Sequence, residues 1–219
     1  MTSKLNYSNN ETQQHHRLKR YSSDDEWDDT KHVPREVSEH FKRYELMTEF
    51  INLRNSNHCP LGLYIMPSSE NFNVWYGVLF VHKGYYSSGV FKFRVVISES
   101  YPEYPPSVTF MSDMFHPLID VGGNLTICQQ FLAWRPDESY IIHVLHYIKN
   151  IFKRAILDRL VDKICLNKDA YKLYRTDRKT FIKLARQCAD LTITESYLFD
   201  HFPDDNLIKL SPMNDMKFG

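Results

Sequence analysis

Glycine is scarce in this chain, with 7 in 219 residues, and the four cysteines are far apart at positions 59, 128, 165 and 188. With so few glycines, the sequence contains no Gly-rich loop that could bind phosphate groups. It also lacks the Gly-x-Ser-x-Gly nucleophile elbow, so a Ser-His-Asp hydrolase site is not expected. The chain also has no Cys-x-x-Cys pair. Neither a disulfide framework nor a zinc knuckle is therefore expected, and the thiols are predicted to be free.

An excess of charge of one sign is also lacking. Lysine plus arginine number 27 and aspartate plus glutamate number 27, so the formal net charge is zero. Without a positive field, binding to nucleic acid is disfavoured. No apolar run approaches the roughly 20 residues of a membrane span, and Met1–Asn10 is polar. We therefore expect a cytoplasmic protein without direct membrane insertion or a signal peptide.

The residues present indicate one folded core with extensions. Hydrophobic residues make up 42% and aromatic residues 14%, which is enough for a buried core. Residues 1–34 are polar and charged, with a basic patch at 17–20, Ser22 and Ser23, and an acidic run at 24–29. Such a segment is predicted to be a disordered arm. The core is predicted over residues 35–200, followed by a C-terminal extension over residues 201–219.

The hydrophobic period changes twice along the core. A helix is predicted after Pro34, from the three- and four-residue spacing of Val37, Phe41, Tyr44 and Thr48. Strands are predicted at 75–81, 91–97 and 108–110, joined by short connections as an antiparallel meander. A helix follows, with one apolar stripe made of Ile141, Val144, Leu145, Ile148, Ile151 and Phe152. A last helical stretch begins near Asn167 and carries Phe181, Leu184, Cys188 and Leu191. This order predicts an α+β fold.

No metal or other cofactor is predicted from the sequence. His143 and His146 lie three residues apart on a predicted helix, but no third ligand has a useful spacing. Trp75 and Trp134 are interpreted as core or turn anchors.

Three segments in order resemble the ubiquitin-conjugating enzyme family. They are Tyr101-Pro-Glu-Tyr-Pro-Pro106, then Phe115-His-Pro117 with Trp134-x-Pro136, and then Leu166-Asn-x-x-Ala170 with Tyr174-Arg-Thr-Asp-Arg178. The prolines of the first segment remove backbone donors, so it links two strands without joining the sheet. The resemblance implies that family's fold, with an N-terminal helix, a four-stranded antiparallel meander and C-terminal helices.

The resemblance also implies where the catalytic position lies. In the active enzymes, a His-Pro-Asn turn precedes the nucleophilic cysteine by the interval that separates His116 from residue 126. In the same enzymes a tryptophan follows that cysteine, at the interval that separates residue 126 from Trp134. Here residue 126 is threonine, and the turn reads His116-Pro-Leu118. A threonine hydroxyl is far less acidic than a thiol, and Leu118 lacks the amide attributed to oxyanion stabilisation. We therefore predict no catalytic residue, with His116, Leu118 and Thr126 marking a vestigial site.

Cys128 leaves an alternative open, because it lies two residues beyond Thr126. A shift of the loop could bring its thiol to the catalytic place, although two extended residues span about 6.6 Å. In that case the chain would be an active ubiquitin-conjugating enzyme. His116 is interpreted as a packed turn residue, since that is its role in the family.

The positions at which this chain departs from the active conjugating enzymes resemble a narrower group, the Fused toes or AKT-interacting protein family. That family includes the insect crossbronx proteins. The matching stretches include Gly62–Ser68, Trp75–Phe80, Gly89–Phe93, Phe131–Trp134 and Ser211–Asn214. The resemblance implies a non-catalytic module that binds Hook and Hook-interacting proteins in vesicle trafficking, cytoplasmic and peripheral on vesicles through its partners. A third hypothesis is a variant that presents ubiquitin to an active conjugating enzyme.

The C-terminal extension has two predicted roles. Its apolar residues could pack on the chain's own core or lie in a partner's groove. Because Ser211–Asn214 continues the resemblance beyond the conjugating-enzyme fold, we expect the second role. Deletion of residues 201–219 would then weaken partner capture and change the melting temperature by only a few degrees.

Overall fold

The fold was determined from a computed structural model, which describes residues 35–55, 58–127, 132–136 and 138–212. The predicted N-terminal arm, residues 1–34, lies outside the described residues. Among the helices within these ranges, none is long and apolar enough to cross a bilayer.

Helix α1 (Arg35–Asn52) begins where the sequence predicts it. Its orientation differs from the predicted stripe, because Phe41 is 64% and Tyr44 69% exposed. The helix and the turn after it contact the core through the opposite face, which carries Leu46, Phe50 and Leu53. The helix has two apolar stripes at helical spacing, and the sheet covers only one of them.

The four strands form an antiparallel meander in the order β1-β2-β3-β4. They are β1 (Leu63–Pro67), β2 (Val74–Phe80), β3 (Val90–Val96) and β4 (Ser107–Phe110). The last three confirm the strands predicted from hydrophobic period. Strand β1 lies in a segment whose period had predicted no strand; its register pairs Met66 with Tyr76.

Helix α2 (Ile141–Asn150) packs on the core through the predicted stripe. Ile141, Val144, Leu145 and Ile148 are fully buried, as is Ile151 in the turn that follows. This one-sided burial accounts for the helix, since isolated helices of such length are marginal in water.

The predicted terminal helical stretch is divided into separate helices. Helix α3 (Arg154–Leu157) and a 3₁₀ helix (Asp162–Ile164) precede this stretch, which contains α4 (Lys168–Thr176), α5 (Arg178–Thr192) and α6 (Glu195–Leu198). Asn167 and Asp177 cap α4 and α5 by accepting backbone N–H bonds from Ala170 and Thr180. Phe181 and Cys188 are buried as predicted, whereas Leu191 is 53% exposed. Ala189 and Thr192 take its place against the sheet because α5 turns them inward.

The C-terminal segment, residues 199–208, returns to the sheet's outer face. The Asp205 carboxylate accepts hydrogen bonds from Ser68 Oγ at 2.6 Å and from the Tyr76 hydroxyl at 3.0 Å. Lys92 Nζ donates to the Asp200 carbonyl over 2.8 Å. Tyr76 and Val78 face outward on β2, yet they are only 4% and 2% exposed. Of the two roles predicted for the extension, packing on the chain's own sheet is therefore the one observed for these residues.

Candidate functional site

The His-Pro turn is built around a fully buried imidazole. The Leu118 N–H donates to His116 Nδ1 over 3.1 Å, so the ring proton is on Nε2, which donates to the Ile151 carbonyl over 3.1 Å. The aromatic rings of Tyr86 and Phe152 each pack against it, with ring centroids 5.6 Å away. Burial lowers the pKa of His116 to about 4. The imidazole is therefore neutral, and the hydrogen bonds at its two nitrogens fix the conformation of the turn.

Leu118 contributes its side chain to the core. It is 0% exposed and belongs to the main hydrophobic cluster, as does the neighbouring Ile119. Its side chain has no hydrogen-bond donor, so no polar group extends from this turn position into the site.

A tight hairpin connects the turn to residue 126. Asp120 Oδ1 accepts from the N–H groups of Gly122 at 2.9 Å and Asn124 at 2.8 Å. The Asn124 side-chain amide, which donates to Asp120 Oδ2 over 3.1 Å, and these backbone bonds lower the pKa of the Asp120 carboxyl. Gly123 has φ +81°, and a Cβ atom there would lie 2.1 Å from the Phe110 carbonyl oxygen. Only glycine fits this position, which holds the hairpin against β4.

Thr126 lies next to the His-Pro turn, at the end of this hairpin. Its N–H donates to the Leu118 carbonyl over 3.0 Å, and the Tyr147 hydroxyl donates to the Thr126 carbonyl over 2.7 Å. The side chain is half-buried. In the described parts of the chain, no carboxylate or imidazole is hydrogen-bonded to its hydroxyl. The backbone of the three site residues is thus held by hydrogen bonds, and among the described residues no general base is bonded to the threonine hydroxyl.

The three motif segments contact one another in space. Trp134 Nε1 donates to the Pro102 carbonyl over 2.7 Å, and its ring packs against Tyr101. The Asn167 N–H donates to the Pro117 carbonyl over 3.0 Å. Proline has a carbonyl acceptor but no N–H donor. The Pro102 and Pro117 carbonyls accordingly accept hydrogen bonds from the other motif segments.

Sequence reasoning missed Glu49, which joins three elements. Its carboxylate accepts from the Tyr101 hydroxyl and, at 2.8 Å, from the Ile141 N–H that begins α2. Burial raises the pKa of Glu49. The residue borders a cavity of about 860 Å³ between α1 and the loop before α2. Its partners are 52 and 92 residues away, so no local pattern could identify it.

Cys128 lies outside the described residues, so its position relative to Thr126 stays a prediction. Cys59 and Cys188 carry free thiols, and the Cys165 Sγ atom donates to the Val161 carbonyl over 3.3 Å. Burial raises the pKa of the Cys188 thiol, whose Sγ contacts the Asp113 carbonyl. His143 accepts the Tyr140 N–H at the start of α2, while His146 contacts the His58 carbonyl. Within the residues that the structure describes, no group of histidine, cysteine and acidic side chains could hold a metal ion.

Comparison with known sequences agrees with this geometry. The sequence model of the ubiquitin-conjugating enzyme family matches residues 45–189. The chain is similar to a crossbronx homolog of Culex quinquefasciatus, at 31% identity over 71% of this chain and 68% of that protein. It is similar to an AKTIP homolog of Nematostella vectensis, at 33% over 68% of this chain and 48% of that protein.

A third relative is the AKT-interacting protein of Danio rerio, with 34% identity over 80% of this chain and 58% of that protein. The chain thus spans between about half and two thirds of the length of these relatives. The meander, the three contacting motif segments and these similarities lead to one assignment: the chain belongs to the ubiquitin-conjugating enzyme family, within the group of AKT-interacting and crossbronx proteins.

Proposed function

We propose that this protein is a non-catalytic, ubiquitin-conjugating-enzyme-like interaction module, a pseudoenzyme of its family. The observation that carries the proposal is Thr126. It occupies the place that the family resemblance assigns to the nucleophile, and its backbone is held by Leu118 and Tyr147. A thioester carrier needs an accessible thiolate near neutral pH, and threonine has no sulfur with which to form a thioester. Its hydroxyl is also far less acidic than a thiol, so without a base it is a poor nucleophile for an ester.

The surroundings of Thr126 support the same conclusion. His116 cannot serve as the missing base, because its ring is fully buried and both nitrogens are engaged in the turn. Leu118 offers no donor to a developing oxyanion, and losing one such donor typically slows a reaction about a hundred- to a thousand-fold. The nucleophile and the oxyanion donor would therefore both be lacking.

The partners form the second part of the proposal. The family resemblance suggests a complex with Hook and Hook-interacting proteins in vesicle trafficking, in the cytoplasm and on vesicle surfaces through those partners. The relatives named AKT-interacting proteins support a role in protein binding. Because those relatives are longer than the stretch matched here, their additional segments could contribute to such a complex.

The proposal that the chain is non-catalytic is tested by incubating it with activating enzyme, ATP and ubiquitin and analysing the products on a non-reducing gel. We expect no thiol-sensitive ubiquitin adduct. A band that disappears in Cys128→Ala would identify an active enzyme and overturn the proposal. Thr126→Cys is the matched variant, and we expect weak or no charging because the activating enzyme's docking surface is also required. Efficient charging and lysine transfer by Thr126→Cys would show that Leu118 is no obstacle.

The partner half is tested by affinity purification of the tagged chain from cells. Specific recovery of Hook and Hook-interacting proteins, unchanged in Cys128→Ala, is the expected result. Recovery of a conjugating enzyme and free ubiquitin without Hook proteins would instead favour the variant that assists an active enzyme.

A further inference from the structure

A basic pocket of about 520 Å³ lies between the β2–β3 connection and the α2–α3 junction. Its floor includes Leu79 and Phe152, which are 1% and 4% exposed. Its rim carries Lys83, Lys149, Lys153 and Arg154. None of the described residues that line it is acidic.

Of the four cationic side chains on the rim, only Arg154 forms an ion pair with another described residue. Lys149 Nζ donates to the Leu61 carbonyl, and Arg154 pairs with Asp158 at 3.3 Å. The side chains of Lys83 and Lys153 are exposed and make no ion pair or hydrogen bond with other described residues. Because the whole chain has zero net charge, this positive charge is local to the pocket.

The combination of an apolar floor and a cationic rim defines the chemistry of a ligand. A pocket of this volume accepts a large side chain, and its apolar walls contribute binding energy while a few polar groups set orientation. Leu61 at the mouth is 86% exposed, which adds apolar surface around the entrance. A suitable ligand thus has a large apolar group flanked by anionic groups.

We propose that the basic pocket binds an acidic peptide segment of a partner protein that carries an aromatic side chain. The ring would pack against the accessible apolar lining, Leu61 and Phe80, above the buried floor, while neighbouring carboxylates would pair with Lys83 and Lys153. A peptide fits better than nucleic acid or a membrane surface, because those ligands need a broad positive field and this charge surrounds one concave site. The inference is independent of catalytic inactivity at Thr126.

The chain's own residues 24–29, Asp-Asp-Glu-Trp-Asp-Asp, have this composition and supply a probe. A fluorescein-labelled peptide with the sequence of residues 22–30 is titrated with the full chain, and binding is followed by fluorescence anisotropy. We expect saturable binding that weakens with added salt. Replacing the peptide's tryptophan by alanine, or its acids by amides, should weaken binding at least tenfold.

The pocket is tested with the double variant Lys83→Glu/Lys153→Glu in the full chain, for which we expect at least a tenfold loss of affinity. Lys179→Glu/Lys183→Glu on α5 is the matched control, since it makes the same change in net charge on exposed lysines elsewhere. Equal weakening by both double variants would reduce the effect to overall charge and overturn the proposal. Unchanged melting temperatures would show that all variants fold.

Two further experiments test whether a membrane or the chain's own acidic segment occupies the basic pocket instead. If the chain sediments with phosphatidylserine vesicles through Lys83 and Lys153 but does not bind the peptide, the ligand is a membrane and the proposal is wrong. If the peptide binds only after the acids of residues 24–29 are changed to amides in the protein, the chain's own segment occupies the pocket. That result would also overturn the assignment to a partner.

Discussion

His116 shows how a residue type associated with acid-base chemistry becomes purely structural. The ring is enclosed by Tyr86 and Phe152, and its two nitrogens link Leu118 to Ile151. The buried neutral form is favoured because ionisation would place an unpaired charge in the core. This arrangement connects the turn of the candidate site to the end of α2.

The depressed pKa of His116 makes stability depend on pH. The folded-state pKa is about 4 and the ordinary value is 6.5, so the unfolded chain binds the extra proton between these values. Stability is therefore present above pH 6.5 and lost as the pH falls towards 4, by up to about 3 kcal/mol. Urea unfolding of the wild type and of His116→Gln across this range measures the difference. Parallel stability curves for the two proteins would contradict the assignment.

Leu118 gives a second prediction for a single residue. Restoring the family's amide with Leu118→Asn would bury a polar group in a site that is 0% exposed and remove apolar contacts. We expect a loss of about 2–4 kcal/mol in the free energy of unfolding. The control Leu118→Met, which nearly conserves volume, should cost less than about 1.5 kcal/mol. Equal stability of Leu118→Asn and the wild type would show that the position tolerates an exposed amide.

At the scale of elements, the C-terminal segment acts as a cover for the sheet. Asp205 connects to both β1 and β2 through the Tyr76 hydroxyl, Ser68 Oγ and the Ser69 N–H, which donates to the Asp205 carbonyl over 3.0 Å. The bonds from Ser68 and Tyr76 lower the pKa of the Asp205 carboxyl. Asn206, next in the chain, is only 6% exposed. The outward face of β2 is thereby closed by the protein's own chain.

Truncation after residue 199 should consequently destabilise the fold. Removal of the segment breaks the bonds from Ser68 and Tyr76 to Asp205 and exposes the Tyr76 side chain, with an expected loss of about 2–4 kcal/mol. Thermal unfolding of this truncation is compared with a chain that ends at residue 212, which keeps every one of these contacts and should melt like the full chain. Identical melting temperatures for both truncations would support the sequence-based expectation of a dispensable segment.

For the whole molecule, the proposed boundary at residue 35 separates the folded core from the polar arm. The acidic and basic stretches before it have little apolar surface to bury, so their contribution to folding should be small. A chain that begins at Arg35 is expected to unfold in one cooperative transition, within about 0.5 kcal/mol of the full chain.

Denaturant unfolding with two probes, tryptophan fluorescence and far-UV circular dichroism, checks this boundary. The contrasting variant begins at Asn55 and lacks α1, so it loses the buried side chains of Leu46, Phe50 and Leu53. We expect that variant to be much less stable. A loss above about 1 kcal/mol in the chain that begins at Arg35 would place part of the arm in the folded unit.

The sequence by itself determined the general order of a helix, strands and then helices, and it predicted which residues form the site. The hydrophobic period alone located three strands and α2, because the apolar side chains on the buried face of a strand or helix recur at the spacing of that element. The interval from His116 predicts that Thr126 stands at the family's catalytic position, and that prediction needs no coordinates. Leu118 was likewise identified as a departure, although its full burial was not.

The tertiary structure alone decided which surfaces meet. Helix α1 has two apolar stripes, and only packing on the sheet shows that Leu46 faces inward while Tyr44 faces solvent. Asp205 and Ser68 are 137 residues apart, as Lys83 and Lys153 are 70 apart on the basic pocket. Hydrophobic period and propensity describe neighbours along the chain, whereas such pairs depend on how distant segments pack together. The closed sheet face and the basic pocket are therefore properties of the fold.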